Sequence, residues 1–291
     1  MIRRLILFAC LVFFVFPIAA QPEQPWFFAV LADPQFGMYA KDRNFAQETA
    51  NFEFAVATLN RLHPRFVVIC GDLVNRTGDE AEIAEYKRIL KQLDPSIPVY
   101  PVAGNHDVGN TPTAETIGGY RTAFGPDYYT FTAGSIFGIV LNSNLMTSPA
   151  TDPGAAQQQN EWLKKTLAEA KADAAHQTIV FQHIPYFLHN PGELDDYFNF
   201  PQSIRRKYLD LLENAGVRSV FAGHYHRNGG GADGPLREWI VGATGLPIRP
   251  ALSGFRIVMV NGDKLDSRWY CLAGLPNELD PNKLPVTNCP Q

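Results

Sequence analysis

The chain has 291 residues, 46% hydrophobic and 19% charged, enough apolar material for a substantial core, and no long Pro/Ser-rich linker divides it into independent domains. Its formal net charge of −4 argues against a nucleic-acid binder, which is ordinarily basic. The four cysteines include no CxxC pair, which speaks against a zinc ribbon or a dithiol redox site.

Residues 1–20 combine Arg3 and Arg4 with an uncharged run over 5–16 and end in Pro17-Ile18-Ala19-Ala20, before the polar Gln21-Pro22-Glu23. This pattern reads as a secretory signal peptide, with an uncleaved anchor as the alternative. The run is shorter than the roughly 20 apolar residues that span a bilayer. Cleavage would remove two arginines and no acid, taking the net charge from −4 to −6. A secreted or periplasmic protein is expected, with no membrane association after cleavage. In such a compartment Cys271 and Cys289 form a plausible disulfide, and Cys70, at the end of an apolar run, is a buried thiol.

Beyond the leader, short apolar runs at 26–32, 66–70, 99–103, 178–182 and 218–222 predict strands buried on both faces. Between them, 44–62, 79–93, 157–171 and 203–214 carry apolar residues at helical spacing, as in Ile83, Tyr86, Ile89, Leu90 and Leu93. Alternating strand and helix is the pattern of an α/β fold. A hairpin is predicted over 128–141, turning at Ala133-Gly134-Ser135. A later β cluster covers 238–243, 255–260 and 264–271, with Asn261-Gly262-Asp263 as its tight turn. Gly229-Gly230-Gly231 reads as a mobile loop, and the Pro-rich residues 273–291 as an irregular tail after a catalytic domain spanning 24–272.

Each of the first five runs leads into a polar motif. These are Asp33-Pro34-Gln35, Gly71-Asp72, Gly104-Asn105-His106-Asp107, Gln182-His183 and Gly223-His224-Tyr225-His226. Ligands in open α/β sheets gather outside the carboxyl ends of strands, where loops converge. Two divalent ions roughly 3.5–4 Å apart need one bridging ligand and separate ligands on each side. Asp72 suits the bridge, Asp33 and His226 the first ion, and Asn105, His183 and His224 the second. With Asn105 turned to a metal, its neighbour His106 faces the substrate, to protonate a leaving group or stabilise charge. Asp107 is placed to orient that imidazole. Each residue alone has an ordinary reading as a turn former, cap or core histidine. Their ordered sum at strand ends points to metal-assisted hydrolysis.

In these motifs the chain resembles the calcineurin-like metallophosphoesterases, whose pattern is Asp-x-His, Gly-Asp-x-x-Asp/Asn, Gly-Asn-His-Asp/Glu, a lone His and Gly-His-x-His. The resemblance spans roughly residues 26–271. It implies a four-layer αββα sandwich of two mixed β-sheets flanked by helices, and two divalent ions among Mn, Fe, Zn and Mg. It also implies hydrolysis of a phosphorylated substrate by a metal-bound hydroxide. The substrate expected is a small phosphomonoester or a phosphoprotein carrying phosphoserine or phosphothreonine. A phosphodiesterase or nucleotidase is the enzymatic alternative, and a non-catalytic binding module the rival class. Arg76, in Gly71-Asp72-Leu73-Val74-Asn75-Arg76, matches the phosphate-gripping arginine of Ser/Thr phosphatases. The departure from the pattern is Gln35, where a harder, weaker amide oxygen replaces an imidazole nitrogen. A first metal position tolerant of Mn²⁺ or Mg²⁺ is expected there.

Overall fold

In the computed structural model, residues 23–173, 176–280, 282–287 and 289 are described. The leader expected over 1–20 lies outside them. In chain order the strands are β1 (Trp26–Leu31), β2 (Val67–Ile69), β3 (Val99–Pro101), β4 (Tyr129–Ala133), β5 (Ile136–Val140), β6 (Gln177–Phe181), β7 (Ser219–Ala222), β8 (Gly229–Asp233), β9 (Leu236–Ile240), β10 (Gly254–Asn261) and β11 (Lys264–Cys271). The helices are α1 (Ala46–Leu62), α2 (Glu80–Leu90), α3 (Asn105–Val108), α4 (Ala114–Phe124), α5 (Ser143–Thr147), α6 (Pro153–Ala172) and α7 (Gln202–Asn214).

The strands form a five-stranded sheet ordered β11-β10-β1-β2-β3 and a six-stranded sheet ordered β4-β5-β6-β7-β9-β8. In the first, β1, β2 and β3 run parallel while β10 and β11 are antiparallel; in the second, β5, β6, β7 and β9 are parallel, with β4 and β8 antiparallel at the edges. Both sheets are therefore mixed.

Strand alternation separates three apolar layers. On β1, Phe28 and Val30 face the opposite sheet, joining Val68, Val258, Ile179, Phe181 and Phe221. Their neighbours Ala29 and Leu31 face outward, packing with Val67, Ile69 and Ile257 against Phe52, Val56 and Leu59 of α1 and Ile89 of α2. On the second sheet, Val180 and Val220 take the outer side against Leu163 and Leu167 of α6 and Leu209 and Leu212 of α7. The inner strands β1, β2, β6 and β7 are thus covered on both faces, which is why their runs are continuously apolar. The result is the four-layer αββα sandwich.

Between the sheets, Phe28 stacks on Phe66 at 4.6 Å and meets Phe181 and Phe221 edge-on at 6.2 and 6.0 Å. Each such ring contributes about 2–3 kcal/mol through burial.

Two segments differ from expectation. Gly229-Gly230-Gly231 is an edge strand, β8, because a Cβ on Gly230 would stand 2.1 Å from the Glu238 carbonyl oxygen of β9; glycine permits the pairing there rather than loosening the chain. Helix α4 was not anticipated: its Gly118-Gly119 breaks the helical pattern, while the Thr113 side chain caps Thr116 N–H at 3.2 Å. The tail carries no long element, yet it is tied down. Leu284 is buried in the α1-side core, and Pro285 O accepts from Tyr270 OH at 2.6 Å and an Arg268 guanidinium N–H at 2.7 Å.

Cys271 and Cys289 are bonded, Cα atoms 5.8 Å apart, and Cys70 is a buried free thiol. The bridge closes a loop with a sequence separation of 18. Cys289→Ser is accordingly expected to lower unfolding free energy by about 3 kcal/mol. Urea denaturation without reductant, compared with the wild type, checks this; an unchanged midpoint would show that the bridge contributes nothing.

Candidate metal centre

Strands from both sheets end at one rim. β1 leads to Asp33, β2 to Asp72, β3 to Asn105, β6 to His183, and β7 to His224 and His226. The loops meet because glycines remove side chains where backbones touch. A Cβ on Gly71 would lie 2.4 Å from His183 Nδ1, and one on Gly104 would lie 2.1 Å from Asp72 N. Main-chain bonds then join the loops: Asp33 N to Gly71 O at 3.0 Å, Gln35 N to Asp72 O at 2.9 Å, and Gly223 N to His183 O at 2.9 Å.

Asp33, Gln35, Asp72, His224 and His226 all adopt positive φ, at 50°, 42°, 49°, 67° and 54°. Non-glycine residues avoid this region, and strain of this kind concentrates where a site requires it. Here it turns each side chain inward from a strand end.

The side chains form two groups that share one member. Potential ligand atoms of Asp72, His183 and His224 lie within 4.8 Å of one another, and so do those of Asp33, Asp72 and His226. The motif spacing anticipates this division, with Asp72 between the two groups. Asn105 joins the first, its Oδ1 2.9 Å from His183 Nε2. Gln35 is buried, donates Nε2–H to Asn75 Oδ1 at 3.2 Å and leaves Oε1 buried without a partner. An orphaned buried oxygen is costly unless something binds it. These donor sets, mixed carboxylate, imidazole and amide oxygen, fit divalent cations.

Backbone carbonyls orient the imidazoles. His183 Nδ1–H donates to Cys70 O at 2.8 Å, His226 Nδ1–H to Leu246 O at 2.5 Å and His224 Nε2–H to Tyr197 O at 3.1 Å. A carbonyl only accepts, so in the neutral ring the opposite nitrogen carries the lone pair that a metal takes. His106 is held likewise, Nδ1–H to Asn75 O at 2.6 Å, with its main-chain N–H on Asp72 Oδ1 at 2.9 Å. It diverges from Asn105 as expected, and Nε2 stays open to a reactant.

The buried charges interact strongly. Burial raises the Asp33 carboxyl to about 6 although His226 and His183 oppose the rise. Burial would raise Asp72 too, but the His183 imidazole 3.3 Å away holds it below the carboxylate range. His183 is pushed up to about 9, Asp72 and Asp33 overcoming its burial. His224 falls to about 3, through burial and repulsion from His183. Without cations the site balances carboxylates against imidazolium, and metal binding would displace that proton.

Two sequence assignments change. Asp107 does not touch the His106 imidazole: its Oδ1 accepts from Leu73 N and Val74 N at 2.9 and 3.1 Å, and Oδ2 from Gly104 N at 2.8 Å. It ties the Asp72 loop to the Asn105 loop, while the Asn75 carbonyl orients His106. Arg76 pairs with Asp79, with Glu82 at 3.5 Å and with Asp42 at 4.0 Å. Three carboxylates occupy its guanidinium, so this arrangement does not offer a free phosphate grip. Arg227 donates to Ile248 O and Arg249 O, stabilising the loop that presents Leu246. Sequence reading gave no role to the carbonyls of Cys70, Asn75, Tyr197 and Leu246, because a backbone oxygen has no residue signature. Tyr197 lies in the stretch Asp195-Asp196-Tyr197-Phe198-Asn199, and sequence reading gave it no role.

The family model for calcineurin-like phosphoesterases matches residues 28–228, which carry all five motifs. The chain belongs to the calcineurin-like phosphoesterases. This phosphoesterase is 38% identical over 275 residues to the serine/threonine-protein phosphatase CPPED1 of Homo sapiens, covering 88% of each chain. Purple acid phosphatase 15 of Arabidopsis thaliana is 25% identical over 48% of this chain and 26% of its own. Among solved structures, a dimetal phosphatase from Danio rerio covers 85% of this chain and 96% of that one, with a TM-score of 0.58 and 18% identity. Purple acid phosphatase PPD1 from yellow lupin covers 88% of this chain and 53% of its own, with a TM-score of 0.65 and 14% identity. These two likenesses concern the fold alone. Family and curated relatives together make the phosphoesterase a metal-dependent hydrolase of phosphate esters.

Removing the Asp107 carboxylate would leave three buried N–H groups unpaired. Asp107→Ala is expected to cost about 3 kcal/mol or more and Asp107→Asn, which keeps an acceptor, less. Denaturation midpoints of the two variants measure this; equal, wild-type values would remove the tether.

Proposed function

We propose that the phosphoesterase is a two-metal phosphomonoesterase, acting on phosphoserine or phosphothreonine side chains or on small phosphomonoesters. The supporting observation is the position of Asp72, common to both ligand groups, with His106 fixed beside it and not consumed by either. Asp33, Gln35, Asp72 and His226 would hold one ion, and Asp72, Asn105, His183 and His224 the other. When bound, the ions lower the pKa of water and neutralise charge on the phosphoryl oxygens.

The chain's own groups do the rest. Asp72, hydrogen-bonded to His106 N, sets the distance between the histidine and the phosphoryl position. The Asn75 carbonyl fixes the His106 ring through Nδ1–H, so in its cationic form Nε2–H is the proton delivered to the departing alkoxide. A protein phosphatase role draws support from the CPPED1 relatives, named for that activity. We also propose export to an oxidising compartment, supported by the Cys271–Cys289 bond and the leader-like composition of residues 1–20.

The test is hydrolysis of 4-nitrophenyl phosphate and of its bis-ester after chelation and re-addition of Mn²⁺, Fe²⁺, Zn²⁺ or Mg²⁺. Monoester turnover should require added metal and exceed diester turnover. His106→Ala should reduce kcat by roughly 10²–10⁴-fold with metal content retained. Turnover untouched by chelation and by this substitution would exclude the mechanism, and diester preference would exclude the monoester assignment.

At the Gln35 position we expect weak retention of zinc or iron, because the amide oxygen is harder than imidazole nitrogen. Gln35→His should raise the zinc retained after dialysis toward two ions per chain. Two tightly held zinc ions in the wild type would contradict this.

A further inference from the structure

The segment between His183 and α7 is more rigidly built than a surface connection requires. The Glu193 carboxylate accepts the N–H groups of Leu188, of His189 at 2.9 Å and of Asn190 at 3.2 Å, and Nδ2–H of Asn199 at 2.8 Å. Glu238, buried on β9, accepts Tyr186 N at 2.8 Å and Phe187 N at 3.0 Å. Buried Arg205 of α7 donates to the carbonyls of Phe200, Pro191 and Glu193 at 2.7–3.1 Å. This scaffold holds Leu194 82% exposed and Tyr197 60% exposed. Ordering spent on presenting apolar side chains to solvent points to recognition.

Tyr197 lies at the metal centre. Its carbonyl takes His224 Nε2–H, and its ring centroid is 5.0 Å from that of His224. Its hydroxyl accepts Asn105 Nδ2–H at 3.3 Å, while its own proton faces Asn110 Oδ1 at 3.5 Å. A well-made O–H···O contact spans roughly 2.5–3.0 Å. The phenol is therefore anchored as an acceptor and left with an under-used donor. Phe198 extends the aromatic wall, its ring 5.4 Å from both His224 and Tyr225.

Building on the phosphoesterase reading, we propose that Tyr197 contacts substrate: its O–H donates to a phosphoryl oxygen beside Asp72, His183 and His224, and its ring, with Phe198, packs on the organic part of the ester. The substrate class is then a phosphomonoester with an apolar or aromatic organic part. No bond forms or breaks at Tyr197; it positions and selects. Asn105 keeps Asn110 Oδ1 at 3.1 Å as a second acceptor, so loss of the phenol hydroxyl alone leaves the amide oriented.

The experiment is calorimetric titration of orthophosphate into Mn²⁺-loaded wild type and Tyr197→Phe, with bound manganese measured in both. Phosphate affinity should fall about ten-fold in Tyr197→Phe at unchanged manganese content. In turnover, Tyr197→Ala should lower kcat/KM for 4-nitrophenyl phosphate about ten-fold more than for glycerol 2-phosphate. Equal phosphate affinities would overturn the proposal, and so would parallel loss of manganese, which would confine Tyr197 to holding Asn105. Wild type that binds phosphate more tightly than Tyr197→Phe yet turns over no ester would support the contact and count against the hydrolase reading.

Discussion

Asp72 occupies a left-handed turn at the end of β2, and both ligand groups and His106 meet at its carboxylate. Its carboxylate enters both ligand groups and also accepts His106 N–H, so one short side chain relates the two groups to His106. The turn survives because neighbours overdetermine it. Gly104 leaves room behind Asp72, Asp107 holds the two residues after it, and the Asp72 carbonyl receives Gln35 N. A strained non-glycine residue costs about 1–3 kcal/mol, and five such residues surround this site. The triple-layer apolar packing beneath it offsets that cost.

Burying two carboxylates among three imidazoles is tolerable only because each group has a partner. Asp33 accepts His224 N at 3.1 Å and faces His226 Nε2 at 3.6 Å; Asp72 faces His183. The exception is Gln35 Oε1, in the position where the family pattern has a histidine. An imidazole there would place a soft donor on the first cation. The amide instead gives a neutral oxygen whose orientation is fixed by the Nε2–H bond to Asn75. The same Asn75 presents the carbonyl that orients His106, so the Gln35 amide and the His106 ring are oriented by one residue.

The site was legible because its chemistry is local: each motif is a few side chains at the end of an apolar run, and strand ends are visible in the hydrophobic pattern. Asp33, Asp72, Asn105, His183, His224 and His226 converge for that reason. What failed to show were relations between distant backbones. Asp107 looked like a partner of its neighbour His106, yet its acceptors serve Leu73 and Val74, thirty-odd positions earlier. Arg76 matched a family position, but its environment of Asp42, Asp79 and Glu82 was assembled by a loop and a helix start that no motif describes. Gly229-Gly230-Gly231 suggested freedom, whereas the constraint came from the Glu238 carbonyl across the sheet.

The two rims of the site differ in physical character. On one side, Asp42, Asp79 and Glu82 neutralise Arg76; on the other, exposed Tyr197 stands with half-buried Phe198 and Tyr225. With a net charge of −4, the chain has no general field to draw in a phosphate dianion. Attraction must then be local, and cations held by the two groups that share Asp72 would supply it. Cation and phosphate binding would therefore be linked, since cations held by Asp33 and Asp72 would offset the carboxylate repulsion that phosphate meets. By reciprocity, a bound ester would strengthen cation binding by the same factor that cations strengthen ester binding. Affinity would then come from the shared cations, and discrimination among organic groups, as proposed, from the aromatic side.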